Sequence, residues 1–206
     1  MLLNFKNVVE KYNMSINGVL HIGAHYGQEH HLYESINIPN ITYFEPLKKT
    51  FEVLKQNVGA KAILHNIALG NENKNIEMFV ETVNRGMSSS ILEPSLHLQQ
   101  YPQIVFTDKE NVVMKKLDDV IDNSNKEYNF INIDVQGYEL EVFKGGVKTL
   151  ENIDYIISEV NRAEVYKNCV HVDELSEFLE KFNFELVEVS WAGGTWGDAL
   201  YVKKNN

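Results

Sequence analysis

One cysteine in 206 residues leaves no partner for a disulfide within the chain, so the fold owes nothing to oxidation. Cys169 has no neighbour in sequence that would suggest a zinc site, and it reads as a buried or neutral thiol. Prolines number only four, and no apolar run approaches the roughly 18 residues of a membrane span. The opening Met1-Leu2-Leu3-Asn4-Phe5-Lys6 is too short an apolar run for a secretory leader and lacks a small-residue cleavage site, which sets a cytoplasmic expectation. Cations are scarce: 19 Lys and Arg face 29 Asp and Glu, a net charge of −10, and they never cluster beyond a Lys-Lys pair. Such a chain repels polyanions, so neither nucleic acid nor an anionic membrane is an expected partner.

Apolar residues make up 44% of the chain and aromatics 11%, enough for a packed core. The pattern predicts one domain over residues 1–206, with a helical extension at 1–17. Short apolar runs at 18–23, 41–45, 60–69, 128–134 and 154–160 read as strands, with a further alternating strand at 75–82. Helical stretches at 27–35, 47–57, 140–150 and 172–182 lie between them, and Gly145-Gly146 interrupts the third. Strand–helix alternation of this kind predicts an α/β fold, a mostly parallel sheet with helices on both faces. The last two strands, 184–190 and 199–203, have no helix between them and are expected to form an antiparallel hairpin. Residues 84–111 show weak periodicity and are expected to be a lid or substrate loop.

The segment His21-Ile22-Gly23-Ala24-His25-Tyr26-Gly27 follows a buried strand and precedes a helix. Glycines there allow close backbone approach, and the N–H groups beyond them suit an anion. A dinucleotide fingerprint needs glycine at 25 and 28, where this chain has His25 and Gln28. The spacing instead suits the looser loop that holds the methionine end of S-adenosylmethionine; the alternative is an ordinary strand-to-helix turn. Glu45 ends the second strand about 20 residues later, where an acid accepts hydrogen bonds from ribose hydroxyls. Asp134 and Glu159 end two later strands, where ligands of open α/β sheets bind. Such acids serve as a base, bind a hydroxyl, or hold a divalent cation; otherwise they cap neighbouring helices. Four histidines at 21, 25, 30 and 31 do not share a helix face, so a metal would take the carboxylates Asp134 and Glu159, as magnesium or manganese.

These pieces together resemble the FkbM-type methyltransferase family. The resemblance runs through Val19 to Gly27, Phe44-Glu45-Pro46, Asn66-Ile67-Ala68-Leu69-Gly70, Ser88-Ser89-Ser90 and Lys116-Leu117-Asp118-Asp119. It continues through Ile133 to Leu140, Ser158-Glu159-Val160 and Asp198-Ala199-Leu200. It implies a class I, Rossmann-like methyltransferase that uses S-adenosylmethionine to O-methylate hydroxyls, often on sugars or natural products. Carried onto this chain, the donor site takes His21, Gly23, Ala24, His25 and Gly27 from the first loop. Glu45, Pro46, Asn66, Ala68 and Asp134 complete it, while Asp134 and Glu159 are the catalytic candidates. For the acceptor, the candidates are Ser88, Ser89, Ser90, His97 and Tyr101 in the loop region, Gln136 and Glu139 after the fourth core strand, and Trp191 and Trp196 flanking the last turn. Two departures stand out: His21 where the family has an acid, and Gln136 where many members have glutamate.

The leading expectation is an O-methyltransferase acting on a sugar, glycan or other small hydroxylated acceptor, with a homodimer as an open possibility. A silent S-adenosylmethionine- or nucleotide-binding module is the alternative, supported by His21 and Gln136. A nicotinamide-dependent oxidoreductase stands last, because the glycine fingerprint fails.

Overall fold

A computed structural model describes residues 1–124 and 127–204, so residues 125–126 and 205–206 of the expected domain lie outside the described residues. Asn4 caps the first helix, α1 (Phe5–Lys11), by accepting the Asn7 N–H at 3.1 Å. β1 (Gly18–Ile22) is buried at every position, as an interior parallel strand must be. α2 (His30–Ser35) begins later than the sequence pattern predicts, because the chain first turns at Gly27, φ +73°. β2 (Asn40–Phe44) leads into α3 (Lys48–Val58), which buries Thr50, Leu54 and Val58 on one face.

The run 60–69 is not one strand. It divides into β3 (Ile63–His65) and β4 (Ala68–Leu69), with Asn66 between them donating to the Glu45 and Pro46 carbonyls at 2.9 Å each. β5 (Lys74–Glu81), α4 (Leu96–Gln100) and β6 (Phe106–Lys115) follow. β5 and β6 pair antiparallel from Glu81 opposite Phe106 to Lys74 opposite Met114. The expected loop at 84–111 therefore ends in a strand and contains a short helix. Thr107, Asp108 and Lys109 are exposed, so this half of β6 carries no apolar period for a sequence reading to find.

The remaining elements are β7 (Phe130–Ile133), α5 (Glu139–Lys144), α6 (Val147–Asn152), β8 (Tyr155–Asn161), α7 (Val172–Glu180), β9 (Phe184–Ala192) and β10 (Trp196–Lys203). Among the described residues, seven strands form the main sheet in the order β3-β2-β1-β7-β8-β10-β9, and β4-β6-β5 form a second, smaller sheet. β1, β2, β3, β7 and β8 run parallel, while β10 pairs antiparallel with both β8 and β9. The terminal hairpin forms as expected, with its second strand inserted between β8 and the first. α1, α2 and α3 cover one face, where Phe5, Tyr33 and Leu54 pack with Val19, Tyr43 and Phe130. α5, α6 and α7 cover the other, where Phe143, Leu150 and Leu175 pack with Leu20, Ile131 and Ile156. No described helix is long and apolar enough to cross a membrane.

Candidate active site

The chain runs outward from β1 to β3 and returns on the other side of β1 as β7, so strand order reverses between β1 and β7. Helices and loops splay apart at such a point, and ligands bind beyond the strand ends there. A crevice of about 1090 Å³, its open mouth included, lies in this place. Its walls include His21, Gly23, Ala24, His25, Glu45 and Pro46 from the first two strand ends. Ala68, Ser89, Asp134, Gln136 and Glu159 also line it.

Glycine at 23 answers to the backbone. The Gly23 and Ala24 N–H groups both reach the Phe44 carbonyl at 3.0 Å, and Asp134 N–H donates to the Ile22 carbonyl at 3.0 Å. A Cβ on Gly23 would lie 1.8 Å from the Asp134 carbonyl oxygen, and φ there is +77°. Gly27 stands off the crevice and packs on α3, where a Cβ would meet Leu54 Cδ1 at 2.8 Å. These two glycines let the loop fit against β7 and α3, a different reason from close approach to a ligand.

Glu45 joins the two loops. Its Oε2 accepts the His25 N–H at 3.0 Å and its Oε1 accepts the Leu47 N–H at 2.9 Å. Each oxygen keeps acceptor capacity after one such bond. Burial raises the carboxyl to about pH 8, against the opposing effect of those two amides. A carboxyl with a raised native pKa binds more protons folded than unfolded, so its stabilisation is complete below about pH 4.5 and lost as pH passes 8. Burial also raises Glu159 and Glu139, which adds to the same slope. The ligand-free protein is therefore expected to melt lower at pH 8.5 than at pH 5.5. Glu45→Gln should flatten that fall; an unchanged slope in melting curves would refute the assignment.

His21 is buried, with Nδ1 3.1 Å from the Tyr33 hydroxyl and Nε2 3.4 Å from Asn132 Nδ2. Burial lowers its pKa, so a neutral imidazole stands where the family has an acid. The Asn132 amide offers hydrogen to Nε2, which leaves the ring proton on Nδ1. His25 is left-handed, φ +48°, stacks on Tyr26 and holds its Nε2 2.9 Å from the Arg85 carbonyl.

The centre of the crevice is acidic. Asp134 is exposed, Glu159 buried, and Gln136 bridges them, its Nε2 donating to Asp134 Oδ1 at 2.6 Å and Glu159 Oε2 at 2.7 Å. Gln136 takes φ +57° to do so, and its Oε1 accepts the Tyr166 hydroxyl at 2.7 Å. Burial first, then the charge of Asp134, raises Glu159 far above the usual carboxylate range and so favours its neutral form. Oxygens of Asp134, Glu139 and Glu159 lie within 4.8 Å of one another. Glu139 stands behind the wall, its Oε1 accepting the Val135 and Gly137 N–H groups at 3.0 and 3.1 Å, and so shapes the loop that carries Gln136.

Several acceptor candidates are held elsewhere. Ser90 Oγ donates to the Gln136 carbonyl at 2.8 Å, Ser89 Oγ accepts the Glu81 N–H at 3.0 Å, and the Ser88 carbonyl accepts the Tyr166 hydroxyl at 2.9 Å. Of the three, Ser89 lines the crevice. Trp191 lies under the Arg162 guanidinium at 3.5 Å, and Trp196 Nε1 donates to the Tyr101 hydroxyl at 3.0 Å. His97 is buried against Tyr101, Phe106 and Tyr166. None of Trp191, Trp196, His97 and Tyr101 lines the crevice, and Asn66 braces the Glu45-Pro46 turn from outside it. Sequence reasoning missed Glu29, Asn132 and Asp198, which do line it. Asp198 sits in a segment that the family resemblance covers, and it faces Glu159 across the β8–β10 register. That placement gives it a site position no local pattern announces.

The family model described as the methyltransferase FkbM domain matches residues 21–186. The chain belongs to this family. As a methyltransferase of the S-adenosylmethionine-dependent class, it is 28% identical over 165 residues to the 2-O-methyltransferase NoeI of Sinorhizobium fredii, covering 76% of this chain and 67% of that one. The fold of this methyltransferase is shared with a Streptococcus pneumoniae protein, a proposed tRNA methyltransferase solved in complex with S-adenosyl-L-methionine. That pair has a TM-score of 0.55 at 14% identity, over 98% of this chain and 73% of that chain. It is shared also with the 1,6-didemethyltoxoflavin-N1-methyltransferase of Burkholderia thailandensis, at TM-score 0.52 and 10% identity, over 97% and 76%. The β1/β7 crevice is thus in the place where a class I methyltransferase fold opens. The residues present fit the donor: Glu45 keeps free acceptor capacity for ribose hydroxyls, and Ile67, Ala68 and Leu69 offer an apolar wall to a base.

Proposed function

We propose that this enzyme methylates a hydroxyl oxygen of a small uncharged acceptor such as a sugar. One observation carries the reading: among the described residues no lysine or arginine lines the crevice, whose acids are Glu29 and Asp134 together with Glu45, Glu159 and Asp198, the last three pushed by burial toward their neutral forms, and the Met1 ammonium there lies 3.6 Å from Glu29. An anionic acceptor, such as a phosphate ester or nucleic acid, would be repelled there, while a cationic donor and a neutral acceptor would not. The name of the Sinorhizobium fredii relative supports oxygen as the target atom.

S-adenosylmethionine, when bound, supplies an electrophilic methyl group on a sulfonium and departs as a neutral thioether. The chain's part is positioning and proton removal. Glu45 takes the ribose hydroxyls, and the Gly23–Ala24 loop lies at the methionine end. With His21 neutral, Glu29 and Asp134 are carboxylates of the crevice able to meet the donor's ammonium. Asp134 is the exposed carboxylate at the centre and accepts the acceptor's hydroxyl proton as its oxygen attacks. The Gln136 amide fixes Asp134 by a hydrogen bond and ties it to Glu159, which burial pushes toward its neutral form. Holding donor and acceptor in line can remove about 7–11 kcal/mol of barrier.

Transfer of an isotope-labelled methyl to a panel of methyl glycosides, with amines and RNA alongside, tests the reading. Labelled glycoside is expected; label in the amine or RNA alone would overturn it. A second reading is favoured by the three clustered carboxylates, whose oxygens suit magnesium or manganese. Turnover lost in a chelator and restored by either ion would replace proton removal by Asp134 alone with metal activation. Donor binding in calorimetry without transfer to any acceptor would favour the silent binding module.

A further inference from the structure

Four buried side-chain atoms of the described residues have no hydrogen-bond partner: Glu139 Oε2, His97 Nδ1, and both Nδ2 and Oδ1 of Asn161. A buried polar atom left unpaired is costly, so native structures keep few without a reason. Asn161 stands out because its whole amide is empty, two N–H donors and an acceptor oxygen, at 1% exposure.

Its position gives the reason. Asn161 ends β8, two residues beyond Glu159 and four beyond Ile157, so its side chain shares their face of the sheet. Glu159 and Ile157 both line the crevice. Across the antiparallel register, Asp198 stands opposite Glu159 and Trp196 opposite Asn161. Asp198 lines the crevice too, which makes Asn161 and Trp196 the next row along that wall, toward the carboxyl ends of the parallel strands. The chain leaving β8 then supports α4, since the His97 N–H donates to the Val165 carbonyl at 3.1 Å. His97, whose Nδ1 is also empty, packs there on Tyr166, and the Tyr166 hydroxyl meets Gln136 in the catalytic cluster.

Two contacts close this row. Gln100 Nε2 donates to Thr195 Oγ1 at 2.9 Å, and Trp196 Nε1 donates to the Tyr101 hydroxyl at 3.0 Å. Both join the end of α4 to the β9–β10 turn. Gly193 and Gly194 in that turn have nothing within 4 Å of where a Cβ would stand, so open space lies beside it, and its backbone tie to β8 is the Arg162 N–H to the Thr195 carbonyl at 2.7 Å.

We propose that Asn161 holds the acceptor, its amide oxygen and N–H pairing with two adjacent hydroxyls of a neutral polyol, and that α4 and the β9–β10 turn part to admit it. The inference rests on the methyl-transfer reading above and adds the residue that selects a diol. A neutral amide suits this wall: it offers both hydrogen-bond roles without adding charge to an already acidic crevice.

The test uses the full chain with S-adenosylhomocysteine and the methyl pyranosides of glucose, galactose and mannose as probes. Wild type and Asn161→Leu are expected to bind S-adenosylhomocysteine equally in calorimetry. The leucine variant should melt at the same temperature or higher, since it removes two orphaned atoms. Binding of the best glycoside, read by saturation-transfer NMR in the presence of S-adenosylhomocysteine, should weaken at least tenfold. Equal glycoside binding by both proteins would overturn the role of Asn161 and leave the methyl-transfer reading standing. Wild type that binds S-adenosylhomocysteine but none of the glycosides would overturn the polyol assignment. Failure to bind S-adenosylhomocysteine would sink the underlying reading and this one with it. If Asn161→Leu does not fold, Gln100→Ala with Thr195→Val keeps the test open: releasing the latch should change glycoside binding, and no change would count against the proposal.

Discussion

Asp134→Asn is expected to lower methyl transfer at saturating donor by about 10²–10⁴-fold, the range of a lost general base, and to weaken S-adenosylhomocysteine through loss of one partner of its ammonium. The substitution keeps the oxygen that accepts from Gln136 Nε2, so the loop and its neighbours are retained. It removes the one exposed carboxylate of the central cluster. Glu159→Gln provides the contrast. Burial pushes Glu159 toward its neutral form, which an amide mimics, so turnover should stay within about tenfold of wild type. Single-turnover rates for the two variants separate the roles. A fully active Asp134→Asn would mean that proton removal lies elsewhere, and a Glu159→Gln protein as damaged as Asp134→Asn would make the two acids a single unit.

Gly23→Ala carries the largest expected cost to stability. The added carbon would sit 1.8 Å from the Asp134 carbonyl oxygen, a fixed backbone atom, in a conformation that L residues avoid. Something in β1 or β7 must move, and both strands are buried at every position. A loss of about 3 kcal/mol or more corresponds to a melting temperature lower by roughly 6–12 °C in a domain of this size. Gly193→Ala is the control. Its φ is +64°, but nothing lies within 4 Å of the new carbon, so it should lose only about 1–2 kcal/mol. Equal melting temperatures for the two variants would show that conformation alone, not the contact with β7, explains glycine at 23. Gly23→Ala should also weaken the donor, because Asp134 is displaced from the loop it faces.

The two substitutions show what kind of residue a sequence reading can find. Gly23, Glu45 and Asp134 directly follow short, buried, mostly apolar strands and Glu159 lies two residues before the end of another, and the ends of such strands are where an α/β sheet builds its site. Strand identity was legible because burial on both faces demands an unbroken apolar run. Of the second sheet only β5 was legible as a separate strand, since β4 runs on from β3 in the sequence pattern and β6 exposes much of its length, its charged stretch imitating a loop. Trp191, Trp196, His97 and Tyr101 have the chemistry of a sugar-binding surface, but the contacts that hold the two tryptophans come from far off in sequence. Tyr101, for one, is 95 residues from the tryptophan that donates to it. Glu139 looks like a site carboxylate, yet it folds back on amides two and four residues away and braces the loop.

By itself, the sequence determined the parallel α/β sheet, the family and the placing of the central acids at strand ends, because these follow from local periodicity and ordered motifs. Only the tertiary structure decided which acids are pushed toward their neutral forms, since burial and the proximity of other charges set that. It also decided that Gly23 answers to the backbone of β7, that Gln136 joins two carboxylates, and that the amide of Asn161 is left empty one step beyond Glu159. Each of those depends on residues brought together from distant strands, which no spacing along the chain encodes.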